Sequence, residues 1–132
     1  MSKFESVLII DDNAHCIELM SLALESEAGV RVSSELAPLR ALTRIREEKP
    51  SLVLLDIKMP GLDGFELLAQ LRKNGDTVPV LMLSGSARQP DIDRAYSLGC
   101  NGYFEKPTSL AAYRALASAM IAYWRCGELS AA

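Results

Sequence analysis

The sequence predicts an α/β fold in which a parallel β-sheet is covered by helices on both faces. Five short segments that carry apolar residues alternate with segments of helical periodicity. Strands that are buried on both faces are expected to be apolar throughout, as the segments at 7–10 and 52–55 are. Alternation of strands and helices favours parallel strands joined by crossover helices. The 132 residues are enough for one domain with its own core.

In the first half of the chain, the pattern predicts three strands and two helices. Their ranges, in chain order, are strand 7–10, helix 13–28, strand 30–32, helix 38–49 and strand 52–55. The first helix is expected to end at Gly29, because glycine readily adopts the left-handed conformation found after helices. Pro38 suits the first turn of the second helix. Leu39, Leu42 and Ile45 recur at helical spacing and are expected to face the core.

In the second half, the pattern predicts three helices and two further strands. Their ranges are helix 65–73, strand 78–83, helix 92–98, strand 102–105 and helix 108–125. A turn-rich loop at 59–64 precedes the first of them. Thr108 is expected to cap the last helix. One face of that helix is expected to pack on the sheet through Leu110, Tyr113, Ala117, Met120 and Trp124.

Polar residues of distinct types stand at the carboxyl ends of four of the predicted strands. Asp11 and Asp12 follow the first, Asp56 the third, Ser84 the fourth and Lys106 the fifth. The carboxyl ends of parallel strands meet at one edge of a sheet, which is where open α/β folds bind ligands. We therefore expect these five side chains to share one pocket.

The chemistry of this set favours phosphoryl transfer. Three carboxylates in one pocket repel each other, and an oxygen-only donor set selects a hard divalent cation such as Mg²⁺. An aspartate can act as a nucleophile through an acyl phosphate. Lys106 and Ser84 supply a positive charge and a hydroxyl for phosphoryl oxygens.

Each of these residues also has a simpler interpretation when it is considered alone. Asp12 could cap the first helix, and Asp56 could begin a turn. A Ser-Gly-Ser turn at Ser84 is ordinary, and a lysine such as Lys106 is most often a solvated surface charge. The joint occurrence of the four features, in this order and at strand ends, favours the phosphoryl-transfer interpretation.

The chain resembles the response-regulator receiver domain, the phosphoacceptor module of bacterial two-component signalling and phosphorelays. The stretch 54–64, LLDIKMPGLDG, closely resembles that family's phosphorylation-site signature. The pairs Asp11-Asp12, Ser84-Gly85 and Lys106-Pro107 match its other motifs in order, and the resemblance covers about residues 6–124. It implies a flavodoxin-like (βα)5 doubly wound sheet with strand order 2-1-3-4-5, a class that the family itself exemplifies.

The resemblance also implies a role for each acidic residue of the site. Asp56 would accept a phosphoryl group from the phosphohistidine of a sensor histidine kinase or a phosphotransfer protein. Asp12, Asp56 and the backbone carbonyl of Lys58 would hold Mg²⁺. Asp11 would support the metal, usually through a bound water. Such a domain would be a phosphorylated switch rather than an enzyme, although it assists its own phosphorylation and dephosphorylation.

Further residues match the family's switch. Ser84 and Lys106 would contact the phosphoryl group, with Ser84 standing where threonine is commoner. Tyr103 matches the aromatic side chain that turns inward when Ser84 moves, and the face of the fourth helix, fifth strand and fifth helix would change with it. The Lys106-Pro107 bond is typically cis in the family. Lys58 and Ser86 occupy positions that flank the attacking water.

Composition and charge exclude several other classes. A net charge of −3 is not typical of a domain that binds nucleic acid, which needs an excess of basic residues. No apolar run reaches the roughly 18 residues of a membrane helix, and the N-terminus lacks a secretory signal, so we expect a cytoplasmic protein without a membrane contact. Cys16, Cys100 and Cys126 lack the spacing of zinc ligands or a disulfide framework and are expected to be mostly buried.

The organisation predicted is a single stand-alone receiver, residues 1–132, with a short tail at 125–132. Its output would then pass through an unidentified downstream protein or by phosphate shuttling. The last helix carries a second set of small and apolar residues, Ala112, Leu116, Ala119 and Tyr123, which suggests a homodimer or a docking surface there. A receiver that belongs to a larger regulator remains an alternative.

Three rival functions stay open at this point. An aspartate-nucleophile phosphatase would need a second acid at the position of Lys58. A flavodoxin would need a first loop that cradles phosphate, whereas Asp11-Asp12 would repel it. A receiver-like scaffold could act by binding without phosphorylation, although the complete set of acids and lysine argues against it.

Overall fold

The structure is a computed structural model, and it describes residues 5–126. The elements, in chain order, are β1 Glu5–Ile10, α1 Ala14–Glu25, β2 Val30–Glu35, a 3₁₀ turn Pro38–Arg40, α2 Ala41–Glu48, β3 Leu52–Asp56, α3 Gly64–Lys73, β4 Val80–Ser84, α4 Gln89–Ser97, β5 Gly102–Glu105 and α5 Leu110–Cys126. The predicted tail and the predicted absence of an N-terminal signal fall largely on residues outside this range.

The five strands form one parallel sheet in the order β2-β1-β3-β4-β5. This confirms the predicted fold class and strand order. The register places Asp56 beside Leu83 and Ser84 beside Glu105. Because all strands run in the same direction, their carboxyl ends lie along one edge.

Two apolar cores cover the two faces of the sheet. Successive side chains of a strand point to opposite faces. Accordingly, Leu8 and Ile10 belong to the core under α2, α3 and α4, whereas Val7 and Ile9 belong to the core under α1 and α5. β3 and β4 are buried along their whole length, as expected for central strands covered on both faces.

Side-chain caps begin three of the helices. Asn13 caps α1 by accepting hydrogen bonds from the backbone N–H groups of His15 and Cys16. Asp63 and Glu66 form a capping box at α3. At α5, the hydroxyl of Ser109 accepts from the N–H of Ala112 at 3.1 Å, so the cap is one residue later than the predicted Thr108.

Several local predictions were wrong. Leu39 is 76% exposed, because the 3₁₀ turn that contains it has a tighter period than the predicted α-helix. α4 begins at Gln89 rather than at residue 92, since its first turn is polar and carries no apolar periodicity. Of the cysteines, only Cys100 is buried, and Cys126 is exposed.

Two further properties concern the described residues as a whole. Residues 5–126 contain no cis peptide bond, so Lys106-Pro107 is trans, contrary to what the resemblance implied. Within the same range, no helix has the length and apolar character that crossing a bilayer would require.

Candidate functional site

The five polar residues predicted to meet do lie together at the carboxyl edge of the sheet. Asp11 and Asp12 directly follow β1, Asp56 and Ser84 are the last residues of β3 and β4, and Lys106 directly follows β5. Four of the five line one cleft of about 660 Å³, and the fifth, Asp11, forms an ion pair with Lys106. The topology of the sheet therefore positions the site.

The three carboxylates form a compact acidic cluster. Asp11, Asp12 and Asp56 each offer one oxygen, and these oxygens all lie within 4.8 Å of one another. Asp11 and Asp56 are only 3% and 6% exposed, whereas Asp12 is open to solvent. This cluster can hold a hard cation, and the cluster is open to solvent on the side of Asp12.

Lys106 is the counter-charge of the two buried acids. Its Nζ lies 2.9 Å from Oδ2 of Asp11 and 3.3 Å from Oδ1 of Asp56. Burial lowers the pKa of Lys106, but the hydrogen bond with Asp11 and the charges of Asp11 and Asp56 raise it by more. The ammonium group therefore stays charged at all physiological pH values.

Asp56 is an acid with a perturbed pKa. Burial and, to a smaller extent, the negative charge of Asp11 raise the pKa of Asp56 to about 6, although the charge of Lys106 and the N–H of Ile57 act in the opposite direction. Near neutral pH the carboxylate is ionised but poorly solvated. A desolvated carboxylate next to a cation is a suitable nucleophile.

Asp11 is held by its local backbone. Its Oδ1 accepts a hydrogen bond from the N–H of Asn13 at 3.0 Å, which closes a turn between β1 and α1. Its own N–H donates to the carbonyl of Glu35 at 3.2 Å. The remaining oxygen of Asp11 is the one that contacts Lys106.

Ser84 is joined to its neighbours by hydrogen bonds on both sides. Its carbonyl accepts from the N–H of Lys106 at 2.6 Å, and its Oγ accepts from the N–H of Ser86 at 3.0 Å. A hydroxyl that accepts one hydrogen bond still has a proton to donate. The phenol of Tyr103 donates to the carbonyl of Ser86 at 2.7 Å, so Tyr103 is attached to the same loop.

The loop after Asp56 depends on Gly64. The N–H of Gly64 donates to the carbonyl of Ile57 at 2.8 Å. A Cβ at Gly64 would lie 2.2 Å from the carbonyl oxygen of Asp56 and 2.9 Å from the Cα of Ile57. Only glycine allows the first turn of α3 to approach the end of β3 this closely. This glycine ends the stretch 54–64, but its close approach to the backbone of Asp56 could not be inferred from the sequence.

Two residues near the site were not identified from the sequence. Tyr113 on α5 was predicted only to face the sheet. It interacts electrostatically with Lys106 and Asp11, and burial together with hydrogen bonding to Cys16 raises its pKa to about 12. Cys16, on the first turn of α1, also acts on Lys106. No motif links these two positions, because α1 and α5 meet only in the folded protein.

The fold and the site together define a class of protein: a five-stranded parallel sheet of order 2-1-3-4-5 with an acidic cluster and a lysine at its carboxyl edge. A family model, the response regulator receiver domain, matches residues 7–118. The chain belongs to this family, and it is a receiver domain of the kind found in two-component response regulators.

Curated relatives of this chain have different overall lengths. It is 34% identical over 103 residues to an uncharacterised 14.6 kDa protein of Leptolyngbya boryana, covering 76% of this chain and 78% of that protein. It is 38% identical over 103 residues to protein-glutamate methylesterase/protein-glutamine glutaminase 1 of Myxococcus xanthus, covering 77% of this chain and 30% of that protein. It is 33% identical over 105 residues to the alkaline phosphatase synthesis transcriptional regulatory protein PhoP of Bacillus subtilis, covering 80% and 43%. The chain therefore spans less than half of the two longer relatives.

Solved structures of response regulators share the fold. The phosphorylated cyanobacterial phytochrome response regulator RcpA superimposes with a TM-score of 0.83 at 27% identity, covering 92% of this chain and 94% of that one. The Mn²⁺-bound form of response regulator Rcp1 superimposes with a TM-score of 0.80 at 25% identity, covering 91% and 94%. Both structures are similar to this chain over nearly their whole length.

Proposed function

We propose that this chain is a phosphoacceptor switch in which Asp56 receives a phosphoryl group from the phosphohistidine of a histidine kinase or a phosphotransfer protein. The observation that carries the proposal is the environment of Asp56. Its carboxylate is buried, lies in an acidic cluster with Asp11 and Asp12, and has the ammonium group of Lys106 at 3.3 Å. Membership of the receiver family supports the same assignment.

The donor set fits Mg²⁺. The described cluster contains carboxylate oxygens and neither histidine nor cysteine, which matches the preference of a hard cation. Asp12 and Asp56 would hold the ion with the backbone carbonyl of Lys58, and Asp11 would support it through a bound water. When bound, the ion supplies positive charge that offsets carboxylate repulsion and the charge of the phosphoryl oxygens.

The chemical step is assigned to Asp56. A carboxylate oxygen of Asp56 attacks phosphorus, a phosphorus–oxygen bond forms, and the bond from phosphorus to the donor's imidazole nitrogen breaks, with the electron pair returning to the imidazole. With a pKa of about 6, Asp56 is mostly ionised at neutral pH and needs no general base. Lys106 and the hydroxyl of Ser84 stabilise the transferred oxygens.

The switch is assigned to the elements that follow Ser84. The phosphoryl group would add negative charge and three strong hydrogen-bond acceptors next to the hydroxyl of Ser84. This hydroxyl accepts a hydrogen bond from Ser86 in the β4–α4 loop, and the carbonyl of Ser86 accepts one from Tyr103. A conformation that donates more hydrogen bonds to those acceptors is favoured by phosphorylation. The surface that would change comprises α4, β5 and α5.

We further propose that this receiver domain acts through protein contacts in the cytoplasm. A second copy of the chain or a downstream protein would bind around α5. On that helix Tyr123 is 50% exposed, Ala112 and Ala119 are exposed, and Leu116 packs only partly on the core. Sedimentation at increasing concentration, with and without a phosphoryl analogue, tests the dimer, and a monomer under every condition would contradict it.

Incubation with acetyl phosphate tests the phosphoacceptor assignment. We expect the intact mass to increase by one phosphoryl group in Mg²⁺ and to stay unchanged in EDTA. Asp56→Asn should abolish the modification, whereas Asp93→Asn, which changes an exposed aspartate of α4, should leave it intact. A wild-type protein that stays unmodified with every phosphodonor would contradict the proposal and favour a binding scaffold.

A further inference from the structure

Ser86, in the loop between β4 and α4, uses every one of its polar groups. Its N–H donates to Oγ of Ser84 at 3.0 Å, and its carbonyl accepts from the phenol of Tyr103 at 2.7 Å. Its hydroxyl donates to Oδ2 of Asp91 at 3.1 Å and accepts from the N–H of Arg88 at 3.3 Å. Ser86 thus connects the end of β4 and Tyr103 of β5 through its backbone, and the beginning of α4 through its hydroxyl.

The bond from Ser86 to Asp91 attaches this loop to α4. The residue at the start of the helix, Arg88, provides no side-chain cap, and Pro90 in the first turn has no N–H to offer. Asp91 is the acid of that first turn, and as an ionised acceptor it forms a charge-assisted hydrogen bond with the hydroxyl of Ser86. Both residues are partly buried, which shields the bond from water.

We propose that Ser86 is a positioning residue. Its hydroxyl is held by Asp91, and its own backbone N–H orients the hydroxyl of Ser84 toward a phosphoryl group on Asp56. The hydroxyl of Ser84 accepts from the N–H of Ser86 through one lone pair and keeps its own proton to donate to a phosphoryl oxygen. The inference rests on the proposed phosphoacceptor function. By linkage, a phosphoryl group that binds Ser84 also strengthens the bond between Ser86 and Asp91, so α4 responds to the site.

The test compares binding of Mg²⁺ alone with binding of beryllofluoride in saturating Mg²⁺. Ser86→Ala removes the hydroxyl but keeps the N–H and carbonyl groups. We expect it to weaken beryllofluoride about three- to tenfold, the effect of one hydrogen bond in this range, and to leave Mg²⁺ affinity unchanged. The matched control is Ser97→Ala at the other end of α4, whose hydroxyl donates to the carbonyl of Arg94. It should bind both ligands like wild type.

A second variant separates positioning from simple destabilisation. Asp91→Ala should cause a similar loss of beryllofluoride affinity, and the double variant should bind no more weakly than either single one, since both remove the same bond. A merely structural role would lower the melting temperature and leave the affinities of the folded protein unchanged. Wild-type affinity for beryllofluoride in either single variant, or additive losses in the double variant, would overturn the positioning role of Ser86. Neither result would affect the proposed phosphoacceptor function. A wild-type protein that binds no beryllofluoride would overturn the phosphoacceptor function together with the positioning role.

Discussion

The ammonium nitrogen of Lys106 lies 2.9 Å from Oδ2 of Asp11, closer than the 3.3 Å that separates it from Oδ1 of Asp56. Lys106 thus neutralises part of the acidic cluster before any other cation binds. The same ammonium group lies where a phosphoryl group on Asp56 would meet it. Under the proposed function, this one side chain would therefore oppose the binding of a metal and favour the binding of a phosphoryl group.

Replacing Lys106 should move these two affinities in opposite directions. In Lys106→Met, Mg²⁺ should bind about three- to tenfold more tightly, because unit charges about 4 Å apart in water repel by about 1 kcal/mol. Beryllofluoride should bind more weakly, because its fluorine atoms lose the interaction with the ammonium group of Lys106. Isothermal titration calorimetry measures both. Lys73→Met, on the exposed side of α3, is the control, and a parallel change in the two affinities would contradict the assignment.

Replacing Asp56 by its neutral analogue should stabilise the fold at alkaline pH. The pKa of Asp56 is about 6 in the folded protein against 3.8 ordinarily, so the folded state binds its proton more tightly and loses stability as pH rises from 3.8 to 6. In EDTA at pH 8, Asp56→Asn should therefore raise the free energy of unfolding by about 1–3 kcal/mol. The gain should disappear below pH 4.

Urea denaturation across this pH range measures the effect. Asp93→Asn, at an exposed site without contact to the cluster, should stay within about 0.5 kcal/mol of wild type at every pH. An Asp56→Asn protein that is less stable than wild type at pH 8 would show that the ionised carboxylate stabilises the fold.

Magnesium binding should depend on the same ionisation. Because a carboxylate must be deprotonated to bind a metal, the affinity for Mg²⁺ should fall as pH drops below about 6, the pKa of Asp56. Asp12→Asn should lower the affinity at pH 8 at least about tenfold. Titration calorimetry at pH 5, 6, 7 and 8 measures both effects. An affinity that is independent of pH would place the metal away from Asp56.

Gly64 should not tolerate a side chain. A Cβ there would lie 2.2 Å from the carbonyl oxygen of Asp56, which is backbone and cannot move alone. We expect Gly64→Ala to lower the free energy of unfolding by about 1–3 kcal/mol. Gly85→Ala, whose Cβ would meet nothing within 4 Å, is the matched control and should be nearly neutral. Chemical denaturation of the two variants compares them directly, and equal stabilities would refute the close approach.

The fold and the residues that gather at the candidate site could be predicted from the sequence, because both follow from local hydrophobic pattern and from the topology of the sheet. Short apolar segments, with Val30 and Val32 for the second strand, predicted the five strands, and parallel topology placed Asp11, Asp56 and Lys106 at one edge. Predictions failed where geometry depends on detail that periodicity does not carry. The 3₁₀ turn exposes Leu39, and Ser109 rather than Thr108 caps α5.

Contacts that depend on the conformation of a loop or on the packing of distant elements could not be predicted from the sequence. The hydrogen bond between Ser86 and Asp91 spans a loop whose conformation no pattern indicates. The approach of Cys16 on α1 and Tyr113 on α5 to Lys106 likewise depends on how two helices pack. These contacts are decided by tertiary packing, so they became visible only in the folded structure.

The most direct test of the account is to locate the phosphoryl group. After incubation with acetyl phosphate and Mg²⁺, reduction by borohydride converts an aspartyl phosphate to homoserine, and peptide mass mapping then identifies the residue. Homoserine is expected at position 56 and at no other aspartate. Label at Asp11 or Asp12, or none at all, would contradict this expectation.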